Sequence, residues 1–538
     1  MGLVNPSTVL AAGIVSVLLY AIFGQPKLRK HGVPLRWHGQ VRVQQSIDFL
    51  PRRPPGTLPL AGNGINFLRD RQKLFKWFTK CEQLYGYETL QISVPSLPPG
   101  VIISDPRNLD YVFKNEGIFA KGEFFKGRSR DLFGNGIINV DGDLWRLQRK
   151  AGLNFLNTSN LRVLTDVALP EYLSRSVAFL KSKTDKDVVD LQAVFHEITT
   201  QLMGKMAYNL AIDNDLSADS WAQMEMHAED EFGLAFDYAS GVTAERFQNP
   251  LWIVTELFTG AHLRKSISVV KSFGQGIVCS AMKDRKIRAE PEKKVPNVAS
   301  NDTLDHISGS LIQSFLDSIG DEQLVADAAL NYLSAGKDTT AQALTWTFYL
   351  LMKHPEVMVK VREEIDRVTE GSEDFLEKAI SERASPNSMP YVFAVFCEAL
   401  RIFPPIPFEI KQAVQATTLP DGTFLPQDSV IVWCTWAMNR SRVTWGPDAD
   451  EFRPERWLVD GKVVNKSTSE FPVFNGGPRT CLGKKMAEII AVQVIATVAG
   501  LFDCAIVDNS TRVSKSSLTL PMKDGLPSFV RRRAAVLE

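Results

Sequence analysis

The 538-residue sequence contains few of the residues that build metal clusters or disulfide networks. It has six cysteines and seven histidines, scattered along the chain without a CxxC pair. This scatter argues against a disulfide scaffold and against a zinc site. Basic and acidic side chains number 61 each, so the formal net charge is zero. The excess of positive charge expected of a general nucleic-acid-binding protein is therefore missing, and we expect no nucleic-acid partner.

Beyond residue 60 the sequence has no internal repeat, no low-complexity tract and no long linker. Hydrophobic residues make up 44% of the chain, which is enough for one large core. Apolar residues recur mostly at helical spacing, and strand-like alternation is confined to short runs. We therefore predict a mainly α fold with small β-sheets. The predicted helices are 161–180, 188–210, 266–282, 321–353 and 482–502, the strands are 90–94 and 430–433, and 293–306 and 405–457 are loop-rich.

One long hydrophobic run is present, at the amino terminus. Residues 1–26 carry no charged side chain, and residues 7–24 are apolar and long enough to cross a bilayer as one helix. Basic residues follow this run, whereas a cleaved secretory signal, the alternative, would need one before it. We interpret 1–26 as a membrane anchor, 27–60 as a basic and proline-rich linker and 61–538 as one globular domain. The positive-inside rule places that domain in the cytosol.

The strongest chemical signal is the segment Phe474-Asn-Gly-Gly-Pro-Arg-Thr-Cys481-Leu-Gly483. Its glycines and proline allow a tight turn and a close approach to a flat ligand. The apolar segment that follows predicts a helix, so Cys481 would lie at a helix amino terminus, where the dipole lowers the pKa of a thiol. A thiolate there can donate electron density to haem iron. Without this pattern, an inert buried cysteine would be the better interpretation.

This segment resembles the haem loop of the cytochrome P450 superfamily, which has the form FxxGxRxCxG. The matching residues are Phe474, Gly477, Arg479, Cys481 and Gly483. The resemblance covers roughly residues 60–530 and implies the cytochrome P450 fold after one transmembrane helix, with 61–538 as the haem-thiolate catalytic domain. It also implies that Cys481 is the axial ligand of a haem b iron and that Arg479 binds a haem propionate.

Two further segments carry the same resemblance. Glu398 and Arg401 match the family's ExxR motif, and positions three apart share one face of a helix. The family joins such a pair to the arginine of a PERW-like segment, which is Arg456 here. Trp145 and Arg149 match WxxxR, whose arginine and tryptophan bind a haem propionate in the family. Without the resemblance, Arg149 would belong to a solvated basic face with its neighbours Arg146 and Lys150.

The middle of the predicted helix 321–353 reads Ala335-Gly-Lys-Asp338-Thr339-Thr340. A polar Asp-Thr pair inside an apolar helix indicates either a local kink or a functional site. We attribute the preceding glycine, Gly336, to room for a ligand. The segment resembles the family's AGxDT motif, which implies that Asp338 and Thr339 manage protons during dioxygen activation.

The resemblance predicts a haem-thiolate monooxygenase that inserts one oxygen atom from O2 into a small lipophilic substrate. No segment after Cys481 resembles a flavin or nicotinamide module, so we expect electrons from NADPH through a separate partner, NADPH-cytochrome P450 reductase, with cytochrome b5 as a second candidate donor. Lys484 and Lys485 would form part of a positive docking surface. Membrane lipid is a further expected partner, and the expected location is the endoplasmic reticulum membrane.

Three other functions share some of these features. A haem-thiolate isomerase or dehydratase would use Cys481 but would not need the Asp338-Thr339 pair. A non-catalytic haem carrier would need neither that pair nor a reductase. A membrane peroxidase would ligate haem through a histidine, and no histidine lies in such a motif.

The substrate is indicated only by segments that serve the fold and the haem. Residues 419–425, 445–457 and 474–479 resemble the fatty-acid and alkane ω-hydroxylase branch, including fungal and plant members. The competing interpretation is a fungal-type tailoring oxygenase that acts on a polyketide or terpenoid scaffold. The aromatic-rich segments 119–133 and 229–258 are the predicted substrate-facing loops.

Overall fold

The computed structural model describes residues 29–30, 51–59, 61–94, 97–208, 231–289, 310–370 and 384–533. The predicted anchor helix 7–24 and the predicted loop 293–306 lie outside these ranges. Within them, no helix is both long and apolar enough to cross a membrane. The cysteines at all six positions are free thiols.

Eighteen α-helices form most of the described part of the chain. They are α1 Gly64–Phe67, α2 Arg71–Tyr85, α3 Pro106–Lys114, α4 Gly122–Phe133, α5 Gly142–Phe155, α6 Thr158–Val163, α7 Leu169–Ser182, α8 Leu191–Tyr208, α9 Glu231–Gln248, α10 Trp252–Thr259, α11 Ala261–Ala289, α12 Leu311–Ile319, α13 Glu322–Lys353, α14 Pro355–Thr369, α15 Pro390–Ile402, α16 Thr435–Met438, α17 Arg442–Trp445 and α18 Lys484–Leu501. A π-helical turn spans Leu164–Ala168, and 3-10 turns span Pro454–Trp457, Pro472–Phe474 and Gly477–Arg479.

The described strands are short and form four small sheets. They are β1 Arg29–Lys30, β2 Leu90–Ile92, β3 Gly100–Ile102, β4 Phe119–Ala120, β5 Val188–Asp190, β6 Glu409–Ala413, β7 Thr417–Thr418, β8 Thr423–Leu425, β9 Val430–Trp433, β10 Leu458–Val459, β11 Lys462–Val463, β12 Phe502–Ile506 and β13 Pro527–Arg532. The largest sheet has the order β2-β3-β9-β6-β4, and the others are β12-β13-β5, β1-β8-β7 and β10-β11. The mainly α fold with small sheets predicted from the sequence is confirmed.

The five-stranded sheet lies between two helices because both of its faces are apolar. Along β9, Val430 and Val432 pack with the α2 side chains, and Ile431 and Trp433 pack with the α3 side chains. Successive strand residues point to opposite faces, so one strand supplies both layers. Most of the remaining helices contribute buried side chains to one large core that includes α13.

The long helix α13 begins where the sequence predicts it. Asp321 caps it by accepting a hydrogen bond from the Leu324 amide at 2.9 Å, as expected for a short acidic side chain at this position. The predicted helix 161–180 contains the π-helical turn, in which the Leu169 amide donates to the Leu164 carbonyl. Pro170 follows directly and has no N–H to continue the regular ladder, which accounts for the irregular turn.

Three sequence-based interpretations differ from the structure. Residues 188–190 were expected to be helical, but they form β5, which pairs with β13 before α8 begins at Leu191. The proline-rich stretch 51–59, interpreted as a spacer, packs against the globule, because Trp77 Nε1 donates to the Pro55 carbonyl at 2.9 Å. The Gln91 amide also donates to the Arg52 carbonyl at 2.7 Å. Residues 405–457, predicted to be loop-rich, contain β6 to β9 as well as turns.

Candidate functional site

The loop that carries Cys481 is a tight turn closed by its own backbone. The Cys481 amide donates to the Phe474 carbonyl at 2.8 Å, and the Thr480 amide donates to the Gly477 carbonyl at 3.1 Å. Helix α18 begins just beyond, with Gly483 as its amino-terminal cap residue. The turn therefore presents Cys481 ahead of a helix, as the sequence predicts.

The two glycines of this turn are required by packing against α3. Gly477 has a φ of +61°, and a Cβ there would lie 2.2 Å from the Phe113 carbonyl oxygen. A Cβ on Gly476 would lie 2.2 Å from the Phe113 ring. The glycines thus let the turn fit against Phe113, which the sequence analysis had not identified. At Gly483, by contrast, a Cβ would meet only the Met486 side chain, at 3.9 Å, among the described residues beyond its chain neighbours.

The side chain of Cys481 is solvent-accessible. Burial raises the pKa of the Cys481 thiol above its usual value, although the Gly483 amide and the Arg149 guanidinium act in the opposite direction. The sequence predicts a lowered pKa at the helix amino terminus, whereas in the protein alone the pKa is raised, because the desolvation of the thiolate outweighs the effects of the Gly483 amide and Arg149.

Helix α5 packs against this loop through the two residues singled out from its sequence. Arg149 Nη1 donates to the Thr480 carbonyl at 3.0 Å, and Trp145 is buried. The Trp145 ring lies 4.1 Å from the Arg479 guanidinium and 5.5 Å from that of Arg149. The structure thus brings together Trp145, Arg149, Arg479 and Cys481. The neighbouring Arg146 and Lys150 are exposed, so only Arg149 departs from the solvated-face interpretation.

Arg479 belongs to a cluster of cations and carboxylates next to the turn. Its Nη2 lies 2.8 Å from Asp141 and its Nε lies 3.2 Å from Glu116. Burial lowers the pKa of Arg479, while Asp141 and Glu116 raise it. Lys126 contacts the other oxygen of Asp141 at 2.9 Å. The other members of the cluster are Lys121 and Glu409, which form an ion pair at 3.2 Å, and Lys411.

Lys411 is a functional candidate that the sequence analysis missed. It lies on β6, its side chain is 3% exposed, and no carboxylate of the described residues lies within 4.0 Å of it. Burial lowers its pKa to about 7, and the nearby Lys121 and Arg479 lower it further. A buried, unpaired cation is costly unless an anion accompanies it. In the local sequence Lys411 lies between Ile410 and Gln412, and no signal there could have identified it.

The charge balance of this cluster fits a haem. Its cations outnumber its carboxylates, and Lys411 has no counterion of its own. A group with two negative charges, such as the two propionates of haem, would provide that counterion. Cys481 supplies one accessible thiol on the adjacent turn. The residues present therefore fit haem-thiolate ligation, with Cys481 as the iron ligand and Arg149, Lys411 and Arg479 as the groups that would hold the propionates.

The middle of α13 lies near the Cys481 turn. Ala335 is the only exposed residue between Val325 and Leu351 of this otherwise buried helix. Tyr332, on the preceding turn, lies close enough to Cys481 for the thiolate to contribute to its raised pKa, of which burial is the main cause. Helix α13 and the Cys481 turn therefore border the same region.

The Asp338-Thr339 pair lies next to this exposed point. Thr339 Oγ1 donates to the Ala335 carbonyl at 2.6 Å, so the hydroxyl is satisfied within the helix, which continues to Lys353. Asp338 is buried, and its Oδ1 accepts no hydrogen bond from the described residues. A Cβ on Gly336 would lie 2.4 Å from the Met203 side chain of α8. The attribution of Gly336 to ligand space is therefore wrong, because the glycine accommodates Met203.

Glu398, Arg401 and Arg456 form one buried network. Two bonds of 2.8 Å join the Arg401 guanidinium to both carboxylate oxygens of Glu398, and both side chains are fully buried. Glu398 also accepts from Arg456 Nε at 3.2 Å and from Trp457 Nε1 at 2.8 Å. Arg401 donates further to the carbonyls of Asn439, Ala449 and Glu451. The network fixes α15 to the segment 439–457, which leads to the Cys481 turn.

An apolar cavity of about 140 Å³ lies between α2, α4, α9 and one face of the five-stranded sheet. Both segments predicted to be substrate-facing loops contribute to it, although their described cavity-lining residues lie mostly in the helices α4 and α9. Its polar or charged lining residues are Arg71, Gln248 and Ser517. The apolar lining includes Leu74 and Phe78 of α2, Phe124 and Phe125 of α4, Ala244, Phe247 and Pro250, and Ile410, Val430 and Val432 of the sheet.

Comparison with known proteins gives one consistent family. The family model described as cytochrome P450 matches residues 51–525. Cytochrome P450 704B1 of Arabidopsis thaliana is 30% identical over 512 residues, which cover 89% of this chain and 95% of that protein. Cytochrome P450 monooxygenase cyp1 of Mycosarcoma maydis is 32% identical over 502 residues, which cover 88% of this chain and 74% of that protein. Cytochrome P450 94A1 of Vicia sativa is 29% identical over 498 residues, which cover 89% of this chain and 90% of that protein.

Proposed function

The chain belongs to the cytochrome P450 family and is a monooxygenase, and we propose that it hydroxylates long-chain fatty acyl or alkyl substrates at or near the chain end. Haem b, held through Cys481, would supply the oxygen-activating chemistry. The protein's own residues bind and orient the chain and control protons. Asp338 and Thr339 are the proposed proton-handling pair.

The apolar cavity is the observation that carries this proposal. Its walls are aliphatic and aromatic, with three polar or charged side chains among the lining residues. Such walls recognise a ligand by burial of apolar surface, at about 25 cal/mol per Å², rather than by many directed polar contacts. Each added methylene that fits contributes about 0.8 kcal/mol, or about fourfold in affinity. The resemblance of residues 419–425, 445–457 and 474–479 to the ω-hydroxylase branch supports the same substrate class.

Exposed apolar side chains near the cavity support a membrane location, where long-chain substrates dissolve. Helix α10 has no buried residue, and Leu257 and Phe258 are 74% and 85% exposed. The cavity-lining residues Phe67 and Pro250 adjoin the exposed Leu68 and Leu251. A large exposed apolar surface is typical of a membrane-contacting site. We propose that residues 1–26 anchor the protein in the endoplasmic reticulum membrane and that this surface contacts the same lipid.

The proposed electron donor is NADPH-cytochrome P450 reductase, with cytochrome b5 as an alternative donor. The surface beside the Cys481 turn carries the exposed cations Arg146, Lys150 and Lys485, whereas Lys484 lies near Glu488 at 3.8 Å. Exposed positive charge next to the haem loop would attract an acidic donor protein and raise its association rate. Reversal of Lys150 and Lys485 to Glu should raise the KM for the reductase and leave substrate binding unchanged.

The substrate class can be tested with the membrane-bound enzyme and a reductase. Fatty acids and alkanes of C12 to C18 are added, and type I spectral shifts and hydroxylated products are measured. We expect affinity to rise with chain length until the cavity is filled. Absence of a shift and of product with every chain would remove this proposal. A compact polyketide or terpenoid that gave both instead would establish the tailoring oxygenase.

Membrane attachment has a separate test. Removal of residues 1–26 should release only part of the protein from membranes, because the exposed apolar surface still partitions into the interface. Adding Leu257→Asp and Phe258→Asp to the truncated chain should release the rest. Complete release by truncation alone would contradict a contribution from α10.

A further inference from the structure

Among the described residues that line the cavity, one is charged: Arg71, at the start of α2. Its side chain is 8% exposed and lines the cavity beside Ser517 and Leu518. Burial lowers the pKa of Arg71 to about 9, and no carboxylate of the described residues offsets this effect. The neighbouring Asp70 forms its ion pair with Lys73, at 2.8 Å, rather than with Arg71. Arg71 is therefore a buried cation without a counterion at the edge of an apolar space.

The hydrogen bonds of Arg71 leave part of its donor capacity unused. Nη1 donates to the carbonyls of Lys515, at 3.3 Å, and Ser517, and Nη2 donates to the Thr519 carbonyl at 2.6 Å. Nε has no partner. Since a guanidinium carries five N–H donors, two of them are unmatched. Neutral carbonyls hold the group in place but do not neutralise its charge.

The position of Arg71 in its helix adds to the free-energy cost of burying its positive charge. Arg71 is the first residue of α2, where the helix dipole favours an anion and disfavours a cation. A structural clamp for residues 515–519 could be built from neutral donors. Gln72, the next residue, already binds Ser514 from the same turn, at 3.2 Å to its hydroxyl. The positive charge of Arg71 is thus not required for holding residues 515–519 in place.

We propose that Arg71 binds the anionic head group of the substrate, a carboxylate, while the chain occupies the apolar cavity. This inference rests on the proposed function and narrows it to free fatty acids over alkanes and esters. A carboxylate provides the missing counterion and accepts from the unmatched N–H of Nη2, and a charge-assisted bond of this kind is strong in an apolar environment. Holding the head at one place also determines which end of the chain remains free.

The test compares hexadecanoic acid, methyl hexadecanoate and hexadecane, with the full chain in membranes and type I shifts as the measure of Kd. Wild type should bind the acid more tightly than the ester. Arg71→Met should raise the Kd for the acid about tenfold or more, and the Kd for the ester and the alkane about twofold or less. Arg71→Lys should retain part of the preference for the acid, and Arg71→Gln should lose it.

Arg128 is the matched control. It is also 8% exposed, has no carboxylate partner among the described residues, and donates to the carbonyls of Phe124 and Arg246, but it does not line the cavity. Arg128→Met should leave the ratio of the acid and ester Kd values unchanged. If Arg71→Met weakens all three ligands equally, or changes none, Arg71 is only a clamp and the inference fails while chain hydroxylation stands. If no chain shifts the wild-type spectrum, the proposed function itself fails.

Discussion

The imidazole of His196 on α8 lies 3.9 Å from the carboxylate of Asp338 on α13. Lys337 Nζ lies 3.5 Å from the same oxygen. The His196 side chain is 27% exposed, whereas that of Asp338 is 7% exposed. This arrangement links the buried acid of the Asp338-Thr339 pair to a partly exposed, titratable group on a neighbouring helix.

Loss of the Thr339 hydroxyl should uncouple the reaction. We expect Thr339→Ala to retain haem and substrate binding but to consume severalfold more NADPH per product, with hydrogen peroxide released, because protons no longer arrive in order. Thr345→Ala is the matched control, since Thr345 makes the same type of bond, to the Ala341 carbonyl at 2.8 Å, in a fully buried position. NADPH, peroxide and product are measured together. Equal coupling in wild type and Thr339→Ala would make Thr339 structural.

His196 should make stability depend on pH. Burial lowers its pKa, Asp338 raises it and Lys337 lowers it, with a net decrease. The unfolded chain therefore binds this proton more tightly, so the free energy of unfolding falls as the pH drops below about 6.5. His196→Gln should flatten this part of the profile. Thermal unfolding midpoints from pH 5 to 7.5 provide the measurement, and identical slopes in the two proteins would contradict the assignment.

Cys481→Ser should remove the thiolate signature. Reduced wild-type enzyme with carbon monoxide should show the Soret shift of a thiolate-ligated haem, and the variant should lack it. Cys279→Ser, an exposed cysteine on α11, should behave as wild type. A shift that survives in Cys481→Ser would mean that another residue is the ligand.

Lys411→Met should have opposite effects on the haem-free and haem-bound protein. The pKa of Lys411 is lowered to about 7. Because the unfolded lysine titrates near 10.4, its burial costs stability that is regained only as the pH rises from about 7 to 10. The variant should therefore raise the unfolding midpoint of haem-free protein at pH 7 and flatten its rise at alkaline pH. Haem transfer to apomyoglobin should meanwhile become faster.

Lys126 provides the control for this experiment. It has a carboxylate partner, Asp141, at 2.9 Å, so Lys126→Met should not stabilise the haem-free protein. A stabilising effect of both substitutions would indicate a general gain from removing charge rather than the loss of an unpaired cation. Unchanged haem transfer in Lys411→Met would exclude Lys411 from propionate binding.

Glu398→Gln should be strongly destabilising. It leaves the guanidinium of Arg401 fully buried without its ionic partner, and breaking a buried pair in this way costs about 3–5 kcal/mol. Arg442 and Asp450 form an exposed pair at 3.6 Å, so Arg442→Gln should cost less than about 1 kcal/mol. Denaturant titration gives both values. A cost below about 1 kcal/mol for Glu398→Gln would show that the network contributes little to stability.

Local patterns in the sequence were sufficient for several features. The Cys481 turn, the ExxR pair and the helix α13 each depend on residues close together in the chain, where spacing directly sets the geometry. Helix caps and turn glycines also depend only on residues that are close together in the chain. The helical nature of the fold followed from periodicity for the same reason.

Other features were decided only by tertiary packing. Arg71 and Lys411 look in the sequence like ordinary surface cations, but packing buries both away from carboxylates. Met203 fills the space at Gly336, and His196 reaches Asp338, because α8 packs against α13. The local spacing of residues does not determine which helices and strands pack against each other. The burial, charge pairing and pKa of a side chain depend on which helices and strands pack together. The apolar cavity and the position of Arg71 in it were therefore decided by the tertiary structure.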